Sequence, residues 1–171
     1  MVVGVSSVQV RDGVLDLAVE CITAFNKVFG DRDGDKEVRS GFRSRCRDML
    51  TDLYYNGSTY VLSYILSKSS DKNETGLSKL GIALGSNSIE DVFRKLKESG
   101  KVSNEAYELY GACLVKALIK LSTISKAGTL IDVINQLNAG NAELLADNKL
   151  LLFAVQLKRL AEASIEKPTG D

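Results

Sequence analysis

The chain has 171 residues, with 22 basic and 22 acidic side chains, three cysteines and no histidine. A single domain of this length buries about 70% of its unfolded surface, so it folds without disulfide or metal staples. The missing histidine removes imidazole acid-base chemistry and the ordinary Cys/His zinc sets, and overall neutrality excludes a generally basic nucleic-acid coat.

Residues 1–10 lack the basic start and apolar core of a signal peptide, and no stretch reaches 18 uninterrupted apolar residues. A cytoplasmic protein with no membrane contact is expected. Cys21, Cys46 and Cys113 stand far apart at apolar positions, as reduced core thiols do. The sole proline is Pro168 and β-branched alternation never persists, which predicts an all-α, single-domain helical bundle of about six to seven helices over 1–171.

The first helix is expected from about Asp12 to Phe29, with Val14, Ala18, Cys21, Ile22 and Phe25 inward, and Gly30 ends it. Asp31, Asp33 and Asp35 then alternate like the opening of a calcium loop. The rest of that loop fails, because Lys36 replaces its glycine and Phe42 its bidentate glutamate, so the segment reads as an acidic turn.

The second helix, about Glu37 to Tyr55, carries the chain's strongest functional signal. Val38, Phe42, Cys46, Met49, Leu50 and Leu53 form its inward stripe. Arg39, Arg43 and Arg47 recur every fourth residue and Arg45 points elsewhere, so guanidinium groups are expected over a broad exposed arc. Residues 39–68 hold five basic against two acidic side chains, whereas residues 1–38 hold four against seven. Such an arc is either a solvated face or a phosphate-binding one, and arginine's planar five-donor fork suits the latter.

Asn56-Gly57 closes that helix, and a third runs from Ser58 or Thr59 to near Lys68. Tyr54, Tyr55, Tyr60 and Tyr64 crowd the corner. Aromatic rings beside guanidinium groups can stack the bases of a single strand, but Tyr60 and Tyr64 are one turn apart, and closing the helix junction by packing is the favoured role.

Residues 69–87 read as a long loop. Ser88 with Asp91 opens a helix to about Ser99, Ser103 caps a long one to about Ser125, and Thr129 caps a short one through Leu137. The last helix, about Asn141 to Ile165, is expected to bury Leu144, Leu145, Leu151, Leu152, Val155 and Leu160, and residues 166–171 form a flexible tail. No phosphate-cradling glycine loop or nucleophile with its base is present, so no enzyme and no cofactor is expected.

The run Phe42-Arg43-Ser44-Arg45-Cys46-Arg47, Leu50, the Asn56-Gly57 corner and Tyr64-Ile65-Leu66-Ser67-Lys68 resemble the small all-helical subunit of Cmr-type (type III-B) CRISPR effector complexes. Leu157-Lys158-Arg159-Leu160-Ala161-Glu162-Ala163 is similar to that family's closing motif. The resemblance implies a non-catalytic subunit of an RNA-guided antiviral complex, stacked with other copies of itself in a minor filament beside Cmr backbone subunits. It implies that basic surface lines the path of the target RNA, and so marks Arg39, Arg43, Arg45, Arg47, Lys68, Lys158 and Arg159 as RNA-binding positions. Phosphate contact suits a protein whose sequence reading is delegated to guide RNA pairing. The acidic surface from Asp31 to Asp35 is a candidate contact with the next copy. The alternative is a helical protein-protein adaptor with no nucleic-acid contact.

Overall fold

The computed structural model describes residues 6–69, 78–100, 102–121, 124, 127, 129–139 and 141–167. Among them there are seven α-helices and no strand: α1 (Ser6–Val28), α2 (Lys36–Ser69), α3 (Ser78–Gly85), α4 (Ile89–Glu98), α5 (Tyr107–Lys120), α6 (Leu130–Leu137) and α7 (Ala142–Ser164). The all-α bundle read from the periodicity is the fold observed.

α5 is the centre. Every side chain from Tyr107 to Leu118 is buried, and α1, α2, α3, α4 and α7 all pack around it. Its apolar residues cover every side and the two charges within that span are bonded inside the fold, Glu108 to Ser103 and Lys116 to the Ser86 carbonyl, so it has no solvent face and the others enclose it. α1 and α2 flank α7, and Phe25, Phe29, Phe42 and Phe93 fuse α1, α2 and α4 into one aromatic cluster, with Phe25 and Phe42 stacked at 4.1 Å. Cys21, Cys46 and Cys113 are free and buried in this core. Burial pushes the Cys46 and Cys113 thiols well above their usual range.

The two helices expected on either side of Asn56-Gly57 meet directly as one bent helix. Gly57 alone has non-helical backbone, at φ 82° and ψ 174°, a conformation open essentially to glycine. Its missing side chain also matters, because a Cβ there would lie 2.9 Å from Asp147 Oδ2. Asp147 uses this access to accept the Ser58 backbone N–H at 2.6 Å, capping the second half of α2 from α7.

Gly41 has a different reason. A Cβ on it would fall 1.9 Å from the Asn104 carbonyl oxygen, so glycine lets α2 touch the turn before α5. That turn corrects one expectation: α5 starts at Tyr107 after Ala106 at φ 56°, not at a Ser103 cap. Ser103 instead accepts the Ala106 N–H through its carbonyl and hydrogen bonds the buried Glu108 carboxylate. α5 ends at Lys120; of its expected extension to about Ser125, residues 122, 123 and 125 lie outside the described residues.

Two further differences concern burial and order. Ser78–Gly85 forms a helix where a loop was expected, burying Ala83 against the core, while residues 70–77 lie outside the described residues. In α7 the inward stripe is Ala146, Leu150, Phe153, Ala154, Leu157 and Ala161, and Leu144, Leu145 and Leu152 are exposed. Alanine at three positions of that stripe leaves room for α1 and α2, while Leu150, Phe153 and Leu157 supply its bulk. The Ser88 and Thr129 caps form as read, the latter as a full capping box with Asp132. Glu166 and Lys167 follow α7 as exposed, irregular chain, and residues 168–171 lie outside the described residues.

Candidate nucleic-acid interface

The structure divides the seven marked basic residues into three environments. Arg39 belongs to the interior, with only 8% of its surface exposed. Its guanidinium donates to the Phe29 carbonyl and, at 3.1 Å, to Asn26 Oδ1, pairs with Asp31 at 3.0 Å and lies 5.9 Å from the Phe25 ring centre. It therefore satisfies a carbonyl at the C-terminal end of α1 and welds the α1–α2 corner, correcting the expectation that it lies on the exposed arc.

Arg45 and Lys68 join a cation-aromatic cluster. Arg45 lies 4.6 Å from the Tyr107 ring centre and donates to the Tyr107 hydroxyl, and Asp48 stands 3.8 Å away. Tyr107 meets Tyr64 edge-on at 5.8 Å, and Lys68 sits 5.5 Å from the Tyr64 ring centre. The bend at Gly57 brings Tyr64 back to the first turn of α5. Arg45 is thus held in place by aromatic packing, with its side chain about one-fifth exposed.

Burial, reinforced by the Tyr64 hydrogen bond, pushes the Tyr107 phenol up to about 12, and burial raises Tyr110 well above its usual range. A phenol with a raised folded-state pKa stabilises the fold fully below its unfolded value of 10, and that stability is lost as pH rises toward 12. The melting temperature is therefore expected to fall steeply above pH 10, with the late tyrosinate absorbance appearing together with unfolding. Tyr107→Phe makes that fall shallower; an equal fall in both proteins contradicts the assignment.

Arg43, Arg47, Lys158 and Arg159 form the third environment, on the α2 and α7 surface. α7 runs antiparallel to α2: Asp147 bonds Ser58 at one end, while Lys36, Ile165 and Glu166 line one groove at the other. The residue separation from Asp147 to Lys158 leads back along α2 from Ser58 to Arg47, which puts Lys158 level with Arg47. Lys158 also shares the helical stripe of Asp147, the α7 residue that bonds Ser58 of α2. Arg43 and Lys158 are half-buried, and Arg47 and Arg159 are exposed. Arg47 Nε donates to Asp48 at 2.8 Å, an exposed pair of the kind that contributes little. The Arg43 Nε is buried without a hydrogen-bond partner.

The acidic turn is largely neutralised from within. Asp31 pairs with Arg39, Asp33 with Lys36 at 2.5 Å, and Asp35 is buried against Lys97 at 2.7 Å. The Lys97 ammonium also donates to the Val28 carbonyl at 2.8 Å and lies 4.9 Å from the Phe29 ring centre. Asp35 is therefore not part of an acidic surface, and it anchors α4 to the corner between α1 and α2.

Among the described residues no three Cys, Asp or Glu side chains converge as a metal site, and no helix is long and apolar enough to cross a membrane. The sequence reading missed Tyr107, Asp48 and Asp147 as partners of the basic and bent segments. Only the Gly57 corner signalled one of them, since a left-handed glycine inside a helix invites a side-chain cap from elsewhere.

These features define an all-α protein in which two long helices, α2 and α7, pack antiparallel and both carry basic side chains that reach solvent. No family model and no solved structure matches the chain. It is similar to the CRISPR system CMR subunit Cmr5 of Saccharolobus solfataricus, with 30% identity over 154 residues that cover 85% of this chain and 90% of that protein. The chain belongs to the Cmr5 family, the small subunits of Cmr-type, type III-B CRISPR systems.

Proposed function

We propose that the chain is a non-catalytic small subunit of an RNA-guided Cmr effector complex, where it stacks with other copies beside the backbone subunits and contacts target RNA through phosphates. Family membership supports the complex. What supports the RNA contact is the register of the antiparallel α2–α7 pair, which sets Lys158 level with Arg47, with Arg43 one turn away on α2, on a chain with no net charge. Clustered guanidinium and ammonium groups draw a polyanion without reading its sequence. Arg39 drops out of the contact set because its donors are used inside the fold. Arg45 and Lys68 act at the edge of the cluster around Tyr64 and Tyr107.

Neutralising Arg43, Arg47 and Lys158 tests this reading: target RNA is retained less well and with a shallower salt dependence. Unchanged salt dependence favours the adaptor reading, in which the same arginines pair with a partner's carboxylates as Arg47 already pairs with Asp48.

A further inference from the structure

Helix α2 carries more than charge on its solvent side. Arg43, Arg47, Thr51 and Tyr55 recur every fourth residue and so form one row, and Tyr54 stands two turns beyond Arg47 on the same side. Each step of the row rises about 6 Å, so it runs about 18 Å along the helix from the first guanidinium to the last ring. Tyr54 and Tyr55 are 65% and 76% exposed and meet edge-on at 5.0 Å, while Tyr60, just past the bend, is 49% exposed. Neither Tyr54 nor Tyr55 packs on the core, whereas Tyr64, one of the two tyrosines read as closing the helix junction, packs on Tyr107. Large aromatic rings left in water at the end of a basic row are an unpartnered surface with a defined electrostatic neighbour.

We infer that Tyr54 and Tyr55 form a stacking platform for unpaired bases of the RNA strand whose phosphates lie along Arg43 and Arg47. The inference rests on the RNA reading of the α2–α7 seam and adds a chemical preference to it: unpaired nucleotides over duplex. Phosphate contacts alone accept either form. An exposed ring accepts a base face only where the base is free of its own stack, and any base serves, so the platform adds affinity without sequence preference. The ring of Tyr55 continues the arginine row itself, so one strand reaches both groups without leaving the helix surface. A protein partner would use the same rings through apolar contact, with no requirement for the adjoining cations.

The chain has six tyrosines and no tryptophan, which makes tyrosine fluorescence a direct reporter. The experiment titrates the full chain with a uridine-rich single-stranded RNA, with the same sugar-phosphate backbone lacking bases, and with an RNA duplex, for wild type and for Tyr54→Leu/Tyr55→Leu. Both positions are exposed, and leucine is a good helix former, so helicity is retained and checked by circular dichroism. The expected result is quenching by the single strand and not by the base-free polymer. The variant is expected to lose about 5- to 150-fold in single-strand affinity per stacked base, at an unchanged salt slope. Wild-type binding to RNA with no loss in the variant overturns the platform while leaving the phosphate contacts standing. Failure of the wild type to bind any RNA overturns both. A change in sedimentation of the variant without RNA, with RNA affinity intact, assigns the rings to a contact between copies and overturns the inference.

Discussion

Replacing Arg43, Arg47 and Lys158 with glutamine is expected to weaken target-RNA retention and to flatten the plot of log affinity against log salt by about 0.7 for each phosphate no longer neutralised, roughly 2 for the triple variant. Each bound phosphate releases condensed counterions, so the slope reports the number of phosphates held and the intercept does not. The three side chains are half-buried or exposed, and glutamine keeps much of each stem and the helix propensity. The melting temperature should therefore move little, because substitutions at such positions stay within about 0.5 kcal/mol when no buried partner is removed. The Arg43 Nε already lacks a hydrogen-bond partner, so its removal orphans no acceptor there. An unchanged slope with a folded variant contradicts the seam as the RNA contact.

Arg39 should behave in the opposite way. Arg39→Met keeps the length of the stem but removes the donors to the Phe29 carbonyl and Asn26 Oδ1. Losing the partner of a buried acceptor costs about 1–3 kcal/mol, and the Asp31 pair adds little because that carboxylate is largely in water. A total of about 3 kcal/mol lowers the melting temperature by roughly 6–12 °C for a protein of this size. The salt slope of RNA binding should not change at a temperature where the variant is folded. A stable Arg39→Met protein with a shallower slope would place Arg39 back on the RNA path. On this account one arginine row joins the buried Arg39 to the proposed phosphate contact at Arg43, separated by four residues and a change of burial.

The amino-acid sequence revealed most of the helices because their apolar spacing is strong and their caps are local. Ser88 with Asp91 and Thr129 with Asp132 are complete within four residues, so nothing distant alters them. The bend at Gly57 was also legible, since Asn-Gly after an apolar stripe marks a break. The burial of Arg39 was not, because it depends on where the end of α1 falls relative to α2, and a helical pattern carries no tertiary register. The same holds for α7. Leu144, Leu145 and Leu152 look like core by residue type, but the approach of α1 and α2 favours the alanine side. The start of α5 was misread because Ser103 has the chemistry of a cap, while the close passage of Asn104 over Gly41 moves the helix start to Tyr107.

The candidate site was legible as a composition and not as a surface. Arg43, Arg47 and Lys158 were each marked, but only the antiparallel pairing of α2 with α7 sets Lys158 level with Arg47. The tyrosines were visible as a cluster, and their exposure was not, because a tyrosine at a helix junction fits either environment. Tyr64 turns inward onto Tyr107, while Tyr54 and Tyr55, a few residues earlier, turn to solvent.

The most direct measurement is recovery of the tagged chain from its native cells at mild salt, with and without ribonuclease, followed by identification of the proteins and small RNAs that accompany it. The account predicts guide RNA together with a repeated Cmr backbone protein, and depletion of target RNA when Arg43, Arg47 and Lys158 are neutralised. A monomer free of partners, or a set of partners that holds no RNA and is indifferent to ribonuclease, would contradict it.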